Sequence, residues 1–148
     1  MAATIHASAV LVGARAVLIR GPSGSGKSRL ALELLQAADR GALQFARLVA
    51  DDRVHVEALH GRLLARPAAA LAGLIEVRGM GIRQVAHEPL AVIGLLLDLG
   101  PGEATRMPDS GDAQDRIEGI MLPRLTAAPS TGPLPLVLAW LSTRGSHT

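Results

Sequence analysis

The residues with the clearest chemistry form one stretch near the N-terminus: Gly21-Pro22-Ser23-Gly24-Ser25-Gly26-Lys27-Ser28. This stretch fits G-x-x-x-x-G-K-[ST], the phosphate-binding P-loop. Its glycines let backbone N–H groups turn toward a phosphate without a Cβ in the way. The lysine can reach the β- and γ-phosphates, and the last serine can ligate Mg²⁺. The motif therefore predicts binding of ATP with Mg²⁺.

The flanking residues supply the context that phosphate binding requires. The apolar run at 16–19 predicts a buried strand, and helix formers follow from Ser28 to about Ala38. A helix N-terminus adds unsatisfied N–H groups and a partial positive charge. Lys27 is the only lysine in the chain, and the other Lys or Arg positions are all arginine. A compact ammonium group is therefore present where a phosphate would lie. This context disfavours the alternative of a glycine-rich turn that binds nothing.

Two aspartates, Asp51 and Asp52, follow the apolar run at 47–50. An apolar strand that ends in acidic residues downstream of a P-loop is typical of the Walker B pattern, whose aspartate holds Mg²⁺ or positions a nucleophile. Adjacent side chains leave a strand on opposite sides, so we expect one carboxylate near a metal and the other near the acceptor. The alternative is an ordinary pair of loop carboxylates.

Three further residues are candidates on weaker grounds. Glu76 and Arg78 lie in a mostly apolar segment before a Gly-x-Gly, and on one strand they would share a face, which indicates a partly buried site. Glu76 can be a second Mg²⁺ ligand, but a structural ion pair with Arg78 fits equally well. His6, judged by spacing alone, reads as an ordinary half-exposed strand histidine.

The remaining patterns predict a single α/β domain over residues 1–148, with a mixed sheet and the P-loop helix against one face. Pro123 is expected to interrupt a strand at 117–125, and 136–141 can be either a strand or a helical turn. Two hairpins are expected: a first strand at 4–12 pairs with the strand before the P-loop, and a strand at 54–59 pairs with one at 62–67. A further strand is expected at 91–99, and loops at 100–114 and 127–135.

Composition excludes several classes of function. The chain has no cysteine, so it has no disulfide or thiolate metal site. With one Phe, one Trp and a net charge of +2, it lacks the interleaved aromatic and basic residues that bind nucleic acid. We see no signal peptide and no apolar stretch long enough to cross a bilayer, so no membrane association and a cytoplasmic location are expected.

With these motifs placed, the chain resembles the catalytic domain of the HPr kinase/phosphorylase family from His6 to about Leu125. The histidine strand at 5–12 and the P-loop match the first two family motifs. Leu48-Val49-Ala50-Asp51-Asp52-Arg53-Val54 is similar to the third, L-V-A-D-D-x-V. Leu74-Ile75-Glu76-Val77-Arg78-Gly79-Met80-Gly81-Ile82 is similar to the signature L-x-E-x-R-G-x-G-I, which a generic P-loop ATPase has no reason to carry. The resemblance implies the nucleotide-binding architecture shared with phosphoenolpyruvate carboxykinase.

The resemblance also implies an activity and partners. The chain would be an ATP- and Mg²⁺-dependent serine kinase for the phosphocarrier protein HPr, and it would form homo-oligomers, hexamers in the family. On the nucleotide side, the resemblance implies that Lys27 binds phosphate and that Ser28 and Glu76 hold Mg²⁺. Asp52 would be the general base in phosphorylation and the general acid in the reverse reaction, and Asp51 would support both Asp52 and the metal.

The resemblance implies three further assignments: His6 is an active-site residue, residues 75–84 form the catalytic signature region, and Arg106 is the arginine of a mobile loop, with Arg116 as the rival candidate.

Three departures from the family pattern shape the expectation. His6 lies almost at the start, which suggests a short form without the family's N-terminal domain, and the loop between 99 and 117 is short. Residues 127–133 contain no arginine where the family has V-R-P-G-R-N, so we predict weak or absent phosphorylase activity. The alternatives are a small-molecule kinase, a carboxykinase relative, and a nucleotide-sensing module with little turnover.

Overall fold

The computed structural model describes residues 2–100, 114–128 and 132–143. Within these ranges the strands are β1 (Ala2–Ile5), β2 (Ala7–Val12), β3 (Arg15–Arg20), β4 (Ala46–Ala50), β5 (Val54–Leu59), β6 (Arg62–Pro67), β7 (Leu74–Val77), β8 (Gly81–Gln84), β9 (Ala91–Leu99), β10 (Gln114–Ile117) and β11 (Ile120–Ala127). The helices are α1 (Lys27–Asp39) and α2 (Pro133–Ser142), with a 3₁₀ turn at Ala69–Leu71. No helix in the described part of the chain is long and apolar enough to cross a membrane.

The main sheet is mixed and brings the ends of several strands to one edge. Its order is β1-β5-β6-β9-β3-β2-β4, with β11 also beside β9, and β10 beside β11. Strand β9 runs parallel to β3 and β11, while β2 runs antiparallel to both β3 and β4. It follows that β3, β4, β9 and β11 all end at the same edge, where β2 begins. Strands β7 and β8 form a separate hairpin.

The sheet is buried on both faces. In β3, Ala16 and Leu18 belong to a core on the side of β5 and β6, whereas Val17 and Ile19 belong to a second core with Leu30 of α1. This alternation follows from the two-residue period of a strand. Burial on both faces explains why β3 and β9 read as continuous apolar runs rather than alternating ones.

A four-residue ion cluster ties β3 to its neighbours just before the glycine-rich loop. The Arg20 guanidinium donates to both carboxylate oxygens of Asp98, at 2.7 and 2.9 Å, and to Asp115 Oδ2 at 2.8 Å. Arg124 Nε also donates to Asp98. Burial alone would lower the pKa of Arg20, but its hydrogen bonds to Asp98 and Asp115 outweigh this and raise it. The hydrogen bond from Arg20 lowers the pKa of Asp115, so this carboxylate stays ionised at a lower pH than a free aspartate would.

The mixed α/β fold predicted from the sequence is confirmed, as are both hairpins and the helix after the glycine-rich loop. Several local predictions are wrong, among them the start of the strand at 117–125, where a turn at 118–119 separates β10 from β11. A bend at His6 divides the first strand, so that β1 pairs with β5 instead of continuing β2. Strand β11 runs through Pro123, because β11 pairs with β9 only from Arg124 onward, and the missing N–H is not needed there.

A further error concerns the second half of the segment at 127–135, which is partly helical. Helix α2 begins at Pro133, whose fixed φ suits the first helical position. Val137 is fully buried in the core shared with α1, so tertiary packing decides in favour of a helix where the short apolar run was ambiguous.

Candidate active site

The loop from Gly21 to Ser28 joins β3 to α1 at the edge where the strands end. Gly24 and Gly26 have φ values of 80° and 99°, in the left-handed region that glycine adopts at little cost. Lys27 is only 5% exposed, and its Nζ donates to the carbonyl oxygens of Gly21 and Pro22 at 2.8 and 3.2 Å. The ammonium is thus held under the loop beside the N-terminus of α1, where two sources of positive charge coincide.

The start of the loop is packed tightly against β9. A Cβ at Gly21 would lie 2.6 Å from the Leu99 carbonyl oxygen and 2.5 Å from Ser25 Oγ, so only glycine fits. The Ser25 hydroxyl is buried and has no hydrogen-bond partner among the described residues. Buried polar atoms are normally satisfied, so water or a ligand is expected to complete this site. Both features fit a loop that takes an anionic group.

Asp51 connects four elements through its carboxylate. It follows β4 directly and is 7% exposed. Its Oδ1 accepts hydrogen bonds from Ser8 Oγ at 2.8 Å and Ser28 Oγ at 2.7 Å, and its Oδ2 accepts one from Glu76 N at 3.0 Å. The contact with Ser28 places a carboxylate beside the hydroxyl expected to ligate a metal.

Replacing Asp51 with alanine should lower the free energy of unfolding by about 2–4 kcal/mol, because the buried Ser8 hydroxyl and two donors in partly buried hydrogen bonds, Ser28 Oγ and Glu76 N, would lose their acceptor. Urea denaturation of the two proteins measures this difference. The exposed Asp39, at the end of α1, provides a matched control, and Asp39→Ala should change stability by less than about 0.5 kcal/mol. Equal effects of the two substitutions would show that Asp51 does not hold these elements together.

The second aspartate faces the other way. Asp52 has a φ of 67°, and its side chain is 65% exposed. Its backbone N donates to Ser8 Oγ at 3.1 Å, and its Oδ1 lies 3.6 Å from His6 Nδ1. The adjacent carboxylates therefore separate, as expected from the sequence, into one buried beside the loop serine and one open to solvent beside an exposed histidine.

The structure corrects the interpretation of Glu76 and Arg78. Arg78 lies in the turn after β7, not on the strand, and both side chains are exposed. They therefore do not share a strand face or form a partly buried site, and no ion pair joins them in the described part of the chain. Glu76 contributes to the site through its backbone N–H, which binds Asp51, and its side chain lies at the surface.

The described residues hold no cluster of three or more His, Cys, Asp or Glu side chains suited to a metal. Arg106 lies outside the described residues. Arg116 is exposed on β10 and is held by the β10–β11 ladder.

Sequence reasoning missed Ser8. Its hydroxyl is fully buried and contacts both aspartates, 43 and 44 residues further along the chain. The available signal was a single hydroxyl in an otherwise apolar run, since burying such a group is unfavourable unless it is hydrogen-bonded.

Comparison with known proteins gives a consistent result. The model of the HPr Serine kinase C-terminal domain matches residues 1–88. HPr kinase/phosphorylase of Streptococcus thermophilus is 36% identical over 140 residues, covering 87% of this chain and 43% of the relative. The corresponding protein of Limosilactobacillus reuteri is 35% identical over 141 residues, covering 87% and 42%. The chain thus spans less than half the length of these relatives.

A solved structure extends the similarity to the whole fold. The Hpr(Ser) kinase/phosphatase from Coxiella burnetii superposes with a TM-score of 0.75 at 25% sequence identity. The match covers 94% of this chain and 93% of the Coxiella chain.

Proposed function

Because the chain belongs to the HPr serine kinase C-terminal domain family, we propose that it is a Mg²⁺-dependent kinase that transfers the γ-phosphoryl group of ATP to a serine of HPr. One observation carries the proposal. Two adjacent aspartates are separated by the fold, with Asp51 buried against Ser28 and Asp52 exposed beside His6. Phosphoryl transfer needs these two environments, one for the metal and nucleotide and one for the acceptor.

The glycine-rich loop and its neighbours form the nucleotide side of the site. Backbone N–H groups of residues 23–28 and the Lys27 ammonium bind the phosphates. Ser28 keeps donating its proton to Asp51, which leaves its lone pairs for Mg²⁺. Glu76, whose side chain is at the surface, supplies a second oxygen ligand. Mg²⁺ neutralises charge on the phosphates when bound.

Asp52 acts on the acceptor side as the general base. As the serine Oγ forms a bond to the γ-phosphorus and the bond from that phosphorus to the bridging oxygen of ADP breaks, the hydroxyl proton passes to the Asp52 carboxylate. In the reverse direction the protonated carboxyl returns it. His6, 3.6 Å from Asp52 Oδ1, orients this carboxylate. An arginine, Arg106 or its rival Arg116 on β10, is proposed to neutralise charge on the transferred group.

The test uses purified HPr from the same organism with ATP and Mg²⁺, and locates any added phosphate by mass spectrometry of HPr peptides. The proposal predicts one phosphoserine on HPr and no modification of an HPr variant in which that serine is alanine. Release of free phosphate from ATP with unmodified HPr would contradict the proposal.

The proposal includes weak or absent phosphorylase activity, because residues 127–133 contain no arginine. Release of phosphate or pyrophosphate from seryl-phosphorylated HPr should be at least about tenfold slower than phosphorylation of HPr. A tenfold difference in rate corresponds to an activation barrier that is higher by about 1.4 kcal/mol. A reverse rate close to the forward rate would refute this part alone.

We also propose a homo-oligomer, a hexamer by family resemblance, in the cytoplasm, where ATP is available. The apolar side chains of Met80, Ile82, Leu136 and Trp140 are 39–62% exposed in the single chain and are the candidates for burial in this interface. Light scattering during size-exclusion chromatography measures the mass, and a monomer at micromolar concentration would contradict this part.

A further inference from the structure

Ser8 is a fully buried hydroxyl that contacts both aspartates at once. It is the second residue of β2 and has no exposed surface. Its Oγ donates its single proton to Asp51 Oδ1 at 2.8 Å and accepts the N–H of Asp52 at 3.1 Å. The hydroxyl therefore links the side chain of one aspartate to the backbone of the next.

The backbone at this point needs such a link. The backbone of Asp52 is in the left-handed region, with a φ of 67°, a conformation that costs an L-residue roughly 1–2 kcal/mol. The pairing of β2 with β4 also shifts register between Ala9 and Val10, close to Ser8. Such irregularities redirect side chains next to active sites. A hydrogen bond from Asp52 N to a buried acceptor stabilises the turn that sends Asp51 inward and Asp52 outward.

We propose that Ser8 is a positioning residue for phosphoryl transfer. Its hydroxyl orients the Asp51 carboxylate toward Ser28 and fixes the Asp52 backbone so that its carboxylate faces the acceptor. This inference rests on the proposed kinase function and assigns a role to a residue of the histidine strand at 5–12 that the sequence motifs did not single out.

The contacts separate this role from nucleotide binding. The hydrogen bonds of Ser8 go to Asp51 and Asp52, and it reaches the glycine-rich loop only through the Asp51 carboxylate. Loss of its hydroxyl should therefore act on the transfer step more than on ATP binding. At saturating Mg²⁺, Ser8→Ala should lower kcat for HPr phosphorylation by about 10–100-fold, the usual effect of removing a group that orients a metal or catalytic residue. KM for ATP should change by less than about threefold.

A matched pair of variants isolates the hydroxyl from the packing. Threonine and valine have nearly the same shape, but only threonine retains the hydroxyl. Ser8→Thr should keep a kcat well above that of Ser8→Val, although both add a methyl group to a buried site. Thr4→Val is the control, since it removes an exposed hydroxyl that pairs with His55 Nδ1 at 2.8 Å and should leave kcat unchanged.

Hydrogen exchange of the Asp52 amide gives a readout that does not depend on turnover or on the bulkier variants folding. In the parent protein the Asp52 amide should exchange more slowly than the amides of other exposed residues, because it is hydrogen-bonded to Ser8 Oγ. Ser8→Ala should accelerate its exchange at least about tenfold, while the amides of β3 stay protected.

The outcomes distinguish this inference from the proposed function. A Ser8→Ala protein with the parent kcat, or equal kcat for the folded Thr and Val variants, would overturn the positioning role while leaving the kinase intact. Unchanged Asp52 exchange in Ser8→Ala would overturn it whatever the reaction. A parent protein that transfers no phosphate to HPr would contradict the proposed function itself, and with it a role in transfer.

Discussion

Replacing Asp52 with asparagine is expected to lower kcat for HPr phosphorylation by about 10²–10⁴-fold, the usual range for loss of a general base. The amide cannot accept the serine proton. Asparagine tolerates the left-handed φ of 67° better than most residues, so the backbone and the hydrogen bond from its N–H to Ser8 should remain. KM for ATP should be nearly unchanged, because the exposed Asp52 side chain is proposed to face the acceptor and not the nucleotide.

Initial rates over a range of ATP and HPr concentrations measure both constants. Glu118→Gln is the matched control, since Glu118 is also an exposed acid with a positive φ, 49°, in the turn between β10 and β11. It removes the same charge far along the chain and should keep the parent kcat. If the Asp52→Asn protein retained its regulatory output although it no longer phosphorylated HPr, the alternative of a nucleotide-sensing module would be favoured.

Replacing Lys27 with methionine is expected to reduce the rate of phosphoryl transfer to HPr by about 10³-fold or more. The substitution removes a preorganised positive charge that would stabilise the negative charge of the transition state. Methionine keeps the length and apolar stem of lysine but cannot bond to Gly21 O and Pro22 O. Affinity for Mg·ATP should fall as well. Lys27→Arg should not restore activity, because a planar guanidinium does not fit a site that leaves lysine only 5% exposed.

Calorimetric titration with Mg·ATP and initial-rate measurements separate the losses in binding and turnover. Arg29→Met is the control two residues along α1, where the cation's side chain is 82% exposed and lies 3.6 Å from Glu33. That variant should bind and turn over like the parent. Parent-like transfer by Lys27→Met would mean that the loop does not hold the phosphoryl group.

The parts of the fold that the sequence predicted depend on local signals. Helix α1 follows from helix formers after the glycine-rich loop, and both hairpins follow from strand runs separated by short turns. These elements need no knowledge of distant residues. The separation of Asp51 and Asp52 was predicted from the two-residue period of a strand, but both residues lie after β4. In the structure their separation comes from the positive φ of Asp52, whose N–H donates to the distant Ser8 Oγ.

The parts that the sequence did not predict depend on distant partners. The bend at His6 arises because β1 pairs with β5, more than forty residues away. The contact of Glu76 N with Asp51 and the two contacts of Ser8 join segments that only the complete fold brings together. The ambiguity of α2 was resolved by burial of Val137 against α1, which a short apolar run does not encode.

The most direct test of the kinase proposal is transfer of label from [γ-³²P]ATP with Mg²⁺ to purified HPr from the same organism, with the Lys27→Met protein in parallel. The structure-based account predicts label on a serine of HPr with the parent protein and almost none with the variant. Tight binding of Mg·ATP without any label on HPr would contradict it, and would indicate that the same site serves another acceptor or senses the nucleotide.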